Sequence, residues 1–280
     1  VPLTRITREA AQAFCESLQK RGFCANTVRD ILGVLNSAMK VAKIENLILV
    51  NPCESIRLPQ SGATSRRALD RREQALLEES LLSEGQSVEL GVLLSLYAGL
   101  RIGEICALRW EDVDFSTHTL TVRGTLQRVA LYDGRSPSKT GLMLGPPKSR
   151  RSFRSVPLPP DLSVILERRS GRGYVLTNCE EPVEPRTLRA RCSRLTGRIG
   201  LPVPFQTLRH TSATRCLEHN FDFQTVAELL GHATADTTMR VYAHSVPEHK
   251  RFLTDRLRLL APRYSHLSPP TSPEGRCAGC

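Results

Sequence analysis

The sequence predicts a mostly α-helical protein with a small β-sheet or hairpin, divided into two domains. The 280 residues leave room for about two domains. Most apolar residues recur at helical spacing, whereas patterns typical of strands are limited to residues 119–129, 153–158 and 174–176. Residues 60–67 are polar, lack periodicity and include glycine, so they are predicted to link the two domains.

Residues 1–59 are predicted to form a small helical domain. Thr7–Lys20 has an amphipathic pattern with the apolar residues on one face. Asn26 or Thr27 is the expected N-cap of a longer helix that runs to about Lys43. Taken alone, this half predicts a small helical bundle and no function.

Residues 68–262 are predicted to form a second domain of helices and a few strands, followed by a flexible tail over 263–280. Asn220 and Gly231 are expected to end helices, because both residue types tolerate the left-handed conformation, and Asp222 is a candidate N-cap. Residues 132–147, which contain Gly, Pro and Ser, are expected to form a loop or a long hairpin connection. Helices are predicted over Asp70–Leu82, Ser87–Tyr97, from Arg101 to about Leu108, Asp161–Arg169, Glu184–Ile199, Leu208–His219, Phe223–Leu230, Thr234–Tyr242 and 247–260.

The composition favours a polyanionic partner and a reducing environment. The formal net charge is +11, which suits neutralisation of phosphates, although many basic proteins bind no nucleic acid. No apolar run approaches the roughly 20 residues that span a bilayer. The nine scattered cysteines favour a reducing cytosol, and the pair Cys277 and Cys280 is either half a zinc site or two free thiols. Because Val1 is not a start methionine, we expect a fragment or a processed chain.

Four side chains in the second half suit phosphate chemistry. Arg101 is predicted at a helix start, where its charge and the helix dipole both favour an anionic oxygen. Arg209, His232 and Tyr242 supply a cation, an imidazole and a phenol over a short span of the chain. On residue types alone, these side chains are more readily explained as unrelated members of a helical region.

The residues around them resemble a known family. Residues 208–214 (LRHTSAT) and 226–244 (VAELLGHATADTTMRVYAH) resemble the signature of the tyrosine recombinases, the integrase family of phages and conjugative elements. Residues 99–108 resemble the family's first-arginine motif. The resemblance implies a two-domain DNA clamp, with a helical core-binding domain over 1–59, N-terminally incomplete, and a mixed α+β catalytic domain over 68–262. An arm-binding domain, if one exists, is expected upstream of Val1.

The implied activity is site-specific cleavage and rejoining of DNA, which integrates or excises a mobile element without metal, ATP or other cofactor. In this scheme Arg101 and Arg209 hold non-bridging oxygens and His232 donates a hydrogen bond. Tyr242 attacks phosphorus to form a 3′-phosphotyrosyl link, and Lys148 protonates the departing 5′ oxygen. The alternative is a DNA-binding relative that has lost cleavage.

Two further positions receive supporting roles, and one departs from the family. Glu104 is expected to orient an arginine, and His210 to pack or to bind an oxygen. Gln206 stands where the family usually has a histidine three residues before the second arginine. An amide can donate to phosphate but cannot accept the tyrosine proton and become charged. Gln206 is therefore expected to position the phosphate, and it lends slight support to the non-cleaving alternative.

Several basic residues are predicted to contact DNA, and a solvated basic surface is the competing explanation. The helix over 184–199 is rich in arginine, and such a helix often lies in or across a DNA groove. The resemblance implies attachment-site duplex DNA, a homotetramer formed by exchange of helix 247–260, and a DNA-bending or excision factor. It also implies a bacterial cytoplasmic protein at the nucleoid. The candidate DNA contacts are Arg66, Arg67, Arg150, Arg151, Arg186, Arg189, Lys40 and Lys43.

Overall fold

The computed structural model describes residues 2–60, 67–131, 140–146 and 152–232. The chain divides into two compact units, Val1–Ser65 and Arg66–Cys280, and the division falls within the predicted linker stretch 60–67. The proposed tail over 263–280 and the helices expected over Thr234–Tyr242 and 247–260 lie outside the described residues. Within the described ranges, no helix is both long and apolar enough to cross a membrane.

The first unit is built on two helices, α1 (Arg8–Lys20) and α2 (Ala25–Ile44). The Thr7 side chain caps α1 by accepting a hydrogen bond from the Ala10 N–H at 3.2 Å. The expected cap of α2 at Asn26 or Thr27 is wrong, because α2 already begins at Ala25 with Cys24 as its N-cap. The Thr27 hydroxyl lies 3.2 Å from the Cys24 sulfur, so it makes a local contact inside the first turn.

The second unit is mostly helical, and its helices surround the buried helix α4. Residues Val88 and 90–96 of α4 are all buried, which matches its nearly continuous apolar sequence. α4 packs against α5, α6, α7 and α8, so it forms the centre of the second unit's core. The helices are α3 (Arg71–Leu81), α4 (Gln86–Tyr97), α5 (Ile102–Ala107), α6 (Pro160–Arg169), α7 (Pro185–Arg198), α8 (Gln206–Glu218) and α9 (Phe223–Leu230).

Two small antiparallel sheets complete this unit. Strands β1 (Val113–Asp114), β2 (Thr119–Val122) and β5 (Arg154–Pro157) form one sheet in the order β1-β2-β5. Strands β3 (Thr125–Ala130) and β4 (Thr140–Gly145) form the other. In the first sheet Leu120 opposes Val156, and both side chains are buried in the core.

Three strand predictions need correction. The prediction of a single strand over 119–129 is wrong, because residues 123–124 are not in a strand and separate β2 from β3. Arg123 Nε donates to Asp112 Oδ1 at 2.7 Å there, and Gly124 follows. The region 132–147, predicted as a loop or hairpin connection, contains strand β4, whose pairing with β3 its loop-like composition did not reveal. A strand over 174–176 is also wrong. Tyr174 makes one isolated bridge, and its carbonyl then accepts two turn hydrogen bonds.

The turn from α8 into α9 and the end of α9 follow the predicted signals. Asn220 has φ 68°, and the Asp222 side chain accepts the Thr225 N–H at 2.9 Å to cap α9. Gly231 adopts the left-handed conformation with φ 64° and ψ 46°, where a side chain would be strained. The next N–H, that of His232, donates back to the Ala227 carbonyl at 2.9 Å. The glycine therefore fixes where His232 leaves the helix.

Candidate active site

The two arginines of the predicted site come from separate elements. Arg101 is the N-cap residue of α5, and its side chain is 42% exposed. Arg209 lies in the first turn of α8, which packs against α4, and it is buried. α8 begins at Gln206, two residues earlier than the sequence predicts, so Gln206 is its first helical residue and is exposed.

Both guanidiniums bind carbonyl groups at the C-terminal end of α9. Arg101 donates from Nη1 to the Leu230 carbonyl at 3.3 Å and from Nη2 to the Gly231 carbonyl at 3.0 Å. Arg209 donates from Nη2 to the same Leu230 carbonyl at 2.6 Å and from Nη1 to the Gly99 carbonyl at 2.5 Å. The last carbonyls of a helix have no partner within the helix, so they attract cations. The end of α9 thus brings the two arginines together.

A buried carboxylate lies behind them. Glu104 is 4% exposed, and its Oε1 accepts from Arg101 Nη1 at 2.8 Å while its Oε2 accepts from the Arg101 backbone N–H at 2.9 Å. Arg209 Nη1 is 4.0 Å from Oε2. Burial alone raises the pKa of Glu104, but the guanidiniums of Arg154 and Arg101 hold it below its usual value. Glu104 is therefore ionised at neutral pH.

Arg154 is a third arginine of this cluster, and the sequence reasoning missed it. Its guanidinium donates to both oxygens of Glu104, at 3.0 and 3.3 Å, and its Nε donates to the Leu229 carbonyl at 2.6 Å. The sequence nevertheless contains a signal that could have identified Arg154. Arg154 occupies the same inward-facing register of β5 as the buried Val156, and a charged side chain at such a position requires a partner.

His232 follows directly from the end of α9 and is half-buried. Burial, followed by the positive charges of Arg209, Arg101 and Arg154 and by His210, lowers its pKa from 6.5 to about 4. The imidazole is therefore neutral at pH 7. A neutral imidazole presents one N–H donor and one acceptor nitrogen.

An open cleft of about 640 Å³ gives access to the arginines. Arg101, Arg209 and Gln206 line it, together with Arg189 of α7. Arg186 and Arg189 also line an adjoining cleft of about 380 Å³ beside Arg101. Within the part of the chain that the structure describes, no group of three His, Cys, Asp or Glu side chains is arranged to hold a metal ion.

The remaining predicted residues are only partly placed. His210 is buried in α8. Arg67 donates twice to Glu73, at 2.6 Å each, whereas in the first unit Lys40 is exposed and Lys43 pairs with Glu54 at 3.6 Å. Five of the predicted residues lie outside the described residues: Tyr242, Lys148, Arg66, Arg150 and Arg151.

The fold and the site define a mixed α+β unit in which two guanidiniums line a cleft suited to an anionic oxygen, and a neutral imidazole follows directly after the end of α9. The sequence pattern of the phage integrase family matches residues 73–249. The chain therefore belongs to the phage integrase family, the tyrosine-type site-specific recombinases.

The similarity extends along most of the chain. A protein named tyrosine recombinase XerC-like from Caldanaerobacter subterraneus is 26% identical over 265 residues, covering 85% of this chain and 67% of that protein. The ICEBs1 integrase of Bacillus subtilis is 25% identical over 278 residues, covering 91% and 71%. The Tn1549 transposon integrase, solved in complex with transposon right end DNA, has the same fold with a TM-score of 0.76 and 18% identity. That likeness covers 92% of this chain and 87% of that one.

Proposed function

We propose that this chain cuts and rejoins duplex DNA at specific sites, and that the phenol of Tyr242 forms a transient 3′-phosphotyrosyl bond. One observation carries the proposal. Arg101 and Arg209, far apart in sequence, donate to the same Leu230 carbonyl beside an open cleft. Two guanidiniums held this close create a site for the two non-bridging oxygens of one phosphate.

The proposed reaction is a transfer of the phosphodiester from one oxygen to another. The Tyr242 phenol releases its proton to water as its oxygen bonds to phosphorus, and the bond to the 5′ oxygen breaks, with Lys148 giving that oxygen a proton. Extra negative charge accumulates on the non-bridging oxygens, where Arg101 and Arg209 stabilise it. The 5′-hydroxyl of a second strand then reverses the step. Because the phosphoester bond is conserved, the reaction requires no ATP.

His232 and Gln206 contribute hydrogen bonds to the same phosphate in this scheme. The pKa of about 4 leaves the His232 imidazole neutral, so it can donate one N–H and still accept a proton. Gln206 lies on the cleft wall with its amide exposed, and it donates to the phosphate without taking part in proton transfer. Arg186 and Arg189, which line the adjoining cleft, are proposed to bind flanking DNA phosphates.

A suicide DNA substrate, nicked so that the cleaved end diffuses away, tests the activity. We expect a protein–DNA adduct that survives denaturant, with none from Tyr242→Phe. If the wild-type chain binds its site but yields no adduct, the non-cleaving alternative is correct.

Two variants of Gln206 test its role. Gln206→Ala is expected to slow adduct formation because a phosphate donor is lost, whereas Gln206→His retains the reaction. If only Gln206→His cleaves, the natural chain is a DNA-binding relative without cleavage activity.

The assembly and location are proposed by analogy with relatives. A lambda integrase tetramer bound to a Holliday junction has the same fold, with a TM-score of 0.59 and 21% identity. We propose that four copies of this chain act together on two attachment sites at the bacterial nucleoid, that helix 247–260 is exchanged between neighbours, and that a DNA-bending or excision factor assists. Light scattering of the protein–junction complex measures how many copies of the chain are bound. Truncation after residue 246 is expected to leave one bound copy per half-site and to abolish the four-copy complex.

A further inference from the structure

We propose that Arg154 is a positioning residue for the cleavage reaction: it ties the Glu104 carboxylate to the end of α9 and so fixes the orientation of Arg101. The inference rests on the proposed function and extends it to a residue that does not meet the DNA.

The buried guanidinium of Arg154 donates hydrogen bonds to oxygens of the protein. Its side chain is 7% exposed. Nε donates to the Leu229 carbonyl at 2.6 Å, and Nη1 donates to the Ser152 carbonyl at 3.1 Å and to Glu104 Oε1 at 3.3 Å. Nη2 donates to Glu104 Oε2 at 3.0 Å. Since four hydrogen bonds are already made inside the protein, Arg154 acts through its neighbours.

The neighbour that matters most is Glu104. Each of its oxygens accepts one hydrogen bond from Arg101 and one from Arg154, so the carboxylate plane is held from two sides. Arg101 in turn takes its orientation from Glu104 Oε1 and from the carbonyls of Leu230 and Gly231. Without Arg154, the Glu104 carboxylate is held only by its hydrogen bonds to Arg101 and can rotate. The half-exposed Arg101 side chain is then no longer held in one orientation by that carboxylate.

Arg154 also joins two elements of the site. Its Nε bond crosses from β5 to the end of α9, at the carbonyl immediately before the one that Arg101 and Arg209 share. The chain reaches His232 within three residues of Leu229. A shift of this helix end therefore moves both arginines and the imidazole together. Displacements of about 1 Å in such positioning groups cost about 100-fold in rate.

The contribution of geometry can be separated from that of charge. His232 is faced by the cations Arg101, Arg154 and Arg209 and by His210, with Glu104 as the acid shared by the arginines. Arg154→Lys keeps the positive charge but cannot hold both carboxylate oxygens and the Leu229 carbonyl in one plane. Arg154→Gln removes the charge as well.

The test compares these two variants with Arg215→Lys and Arg215→Gln in the full chain. Arg215 is a matched control on α8: it is also largely buried, and it donates to the Gln74 side chain at 3.0 Å and the Leu69 carbonyl at 2.9 Å, away from the site. Single-turnover adduct formation is measured on the suicide substrate, with DNA affinity and the folded fraction measured in parallel. We expect Arg154→Lys to react about 10- to 100-fold more slowly with unchanged DNA affinity. The Arg215 variants are expected to react at the wild-type rate once corrected for folding.

A second readout uses the protein without DNA. Proton NMR of the imidazole, assigned with His232→Gln, follows the pKa of His232. We expect it to stay near 4 in Arg154→Lys and to rise towards 6.5 in Arg154→Gln, because a facing positive charge has been removed. This readout reports the charge of Arg154 at His232, whereas the cleavage rate of Arg154→Lys reports its geometry.

Three results overturn the inference. They are a wild-type cleavage rate in folded Arg154→Lys, an equal loss of rate in the Arg154 and Arg215 variants, and a His232 pKa that does not respond to Arg154→Gln. If the wild-type chain itself forms no adduct, the proposed function has failed, and the His232 titration still shows whether the charge of Arg154 acts on the imidazole.

Discussion

Replacing Glu104 with glutamine removes a negative charge that three guanidiniums share. Glu104 is 4% exposed, with Arg101 at 2.8 Å, Arg154 at 3.0 Å and Arg209 at 4.0 Å. Glutamine has nearly the same shape, so the change leaves the packing in place; it removes the charge and replaces one accepting oxygen with an NH2 donor. Removing one partner of a buried ion pair costs about 3–5 kcal/mol because the remaining charges stay buried without compensation. For a unit of this size, that corresponds to a fall in Tm of about 6–20 °C.

The chain offers a direct assay for this change. Trp110 is the only tryptophan in the sequence, and it is buried in the second unit, where its indole N–H donates to Asn178 Oδ1 at 2.6 Å. Tryptophan fluorescence during urea unfolding therefore reports this unit alone. Glu184→Gln is the control: it breaks an ion pair to Arg128 of 2.6 Å in which both side chains are 26% exposed, and such pairs contribute below about 1 kcal/mol.

The pH dependence of the free energy of unfolding provides a second test of this prediction. Because the pKa of Glu104 is depressed in the folded protein, its contribution to stability is complete above the usual value of 4.5 and is lost as pH falls through the folded pKa. The difference in free energy of unfolding between wild type and Glu104→Gln is thus expected to shrink in acid below pH 4.5. The reasoning is refuted if Glu104→Gln costs no more than Glu184→Gln at pH 7, or if the difference persists unchanged in acid.

Three further predictions follow from single contacts. The folded pKa of His232 lies below its usual 6.5, so wild type is expected to lose stability relative to His232→Gln as pH falls from 6.5 to about 4; parallel curves in urea titrations contradict this. Gly231→Ala places a side chain at φ 64°, which costs roughly 1–2 kcal/mol in tryptophan-monitored unfolding, and an unchanged midpoint contradicts the left-handed cap. Arg189→Ala is expected to reduce the salt dependence of DNA binding by about 0.9 in log–log slope, whereas Arg191→Ala, whose guanidinium binds Ser87 Oγ at 2.9 Å, leaves the slope unchanged.

Helix positions were predictable because their signals are local. The Thr7 cap, the Asp70 cap of α3 and the Asp222 cap of α9 each depend on a side chain reaching an N–H three residues ahead. The Gly231 stop depends on the conformation of one residue. Strand β4 was missed because its partner β3 lies across a connection of nine residues, and because the stretch 132–147 that contains it holds the Gly, Pro and Ser typical of loops. Strand pairing is a non-local property that short windows of sequence do not contain.

The site was predictable to the extent that its residues carry a family pattern. Arg101 and Arg209 were found through their motifs, and the structure shows both donating to Leu230. Arg154 carries no motif that the sequence reasoning used, and only its inward register on β5 marks it. The depressed pKa of His232 was also out of reach, because it depends on burial and on cations that come from three separate elements.

The placement of the cluster at a helix C-terminus explains why it needs so many arginines. The carbonyls at the end of α9 carry partial negative charge and by themselves repel a phosphate, in contrast to a helix N-terminus. Here those carbonyls serve as acceptors that orient Arg154, Arg101 and Arg209, while Glu104 screens the guanidiniums from one another. Three positive charges against one carboxylate leave the cluster net positive, which reverses the field at the cleft. Burial and the same excess of positive charge together keep His232 neutral, so features that prepare the site for an anion also help to set the protonation state of its imidazole.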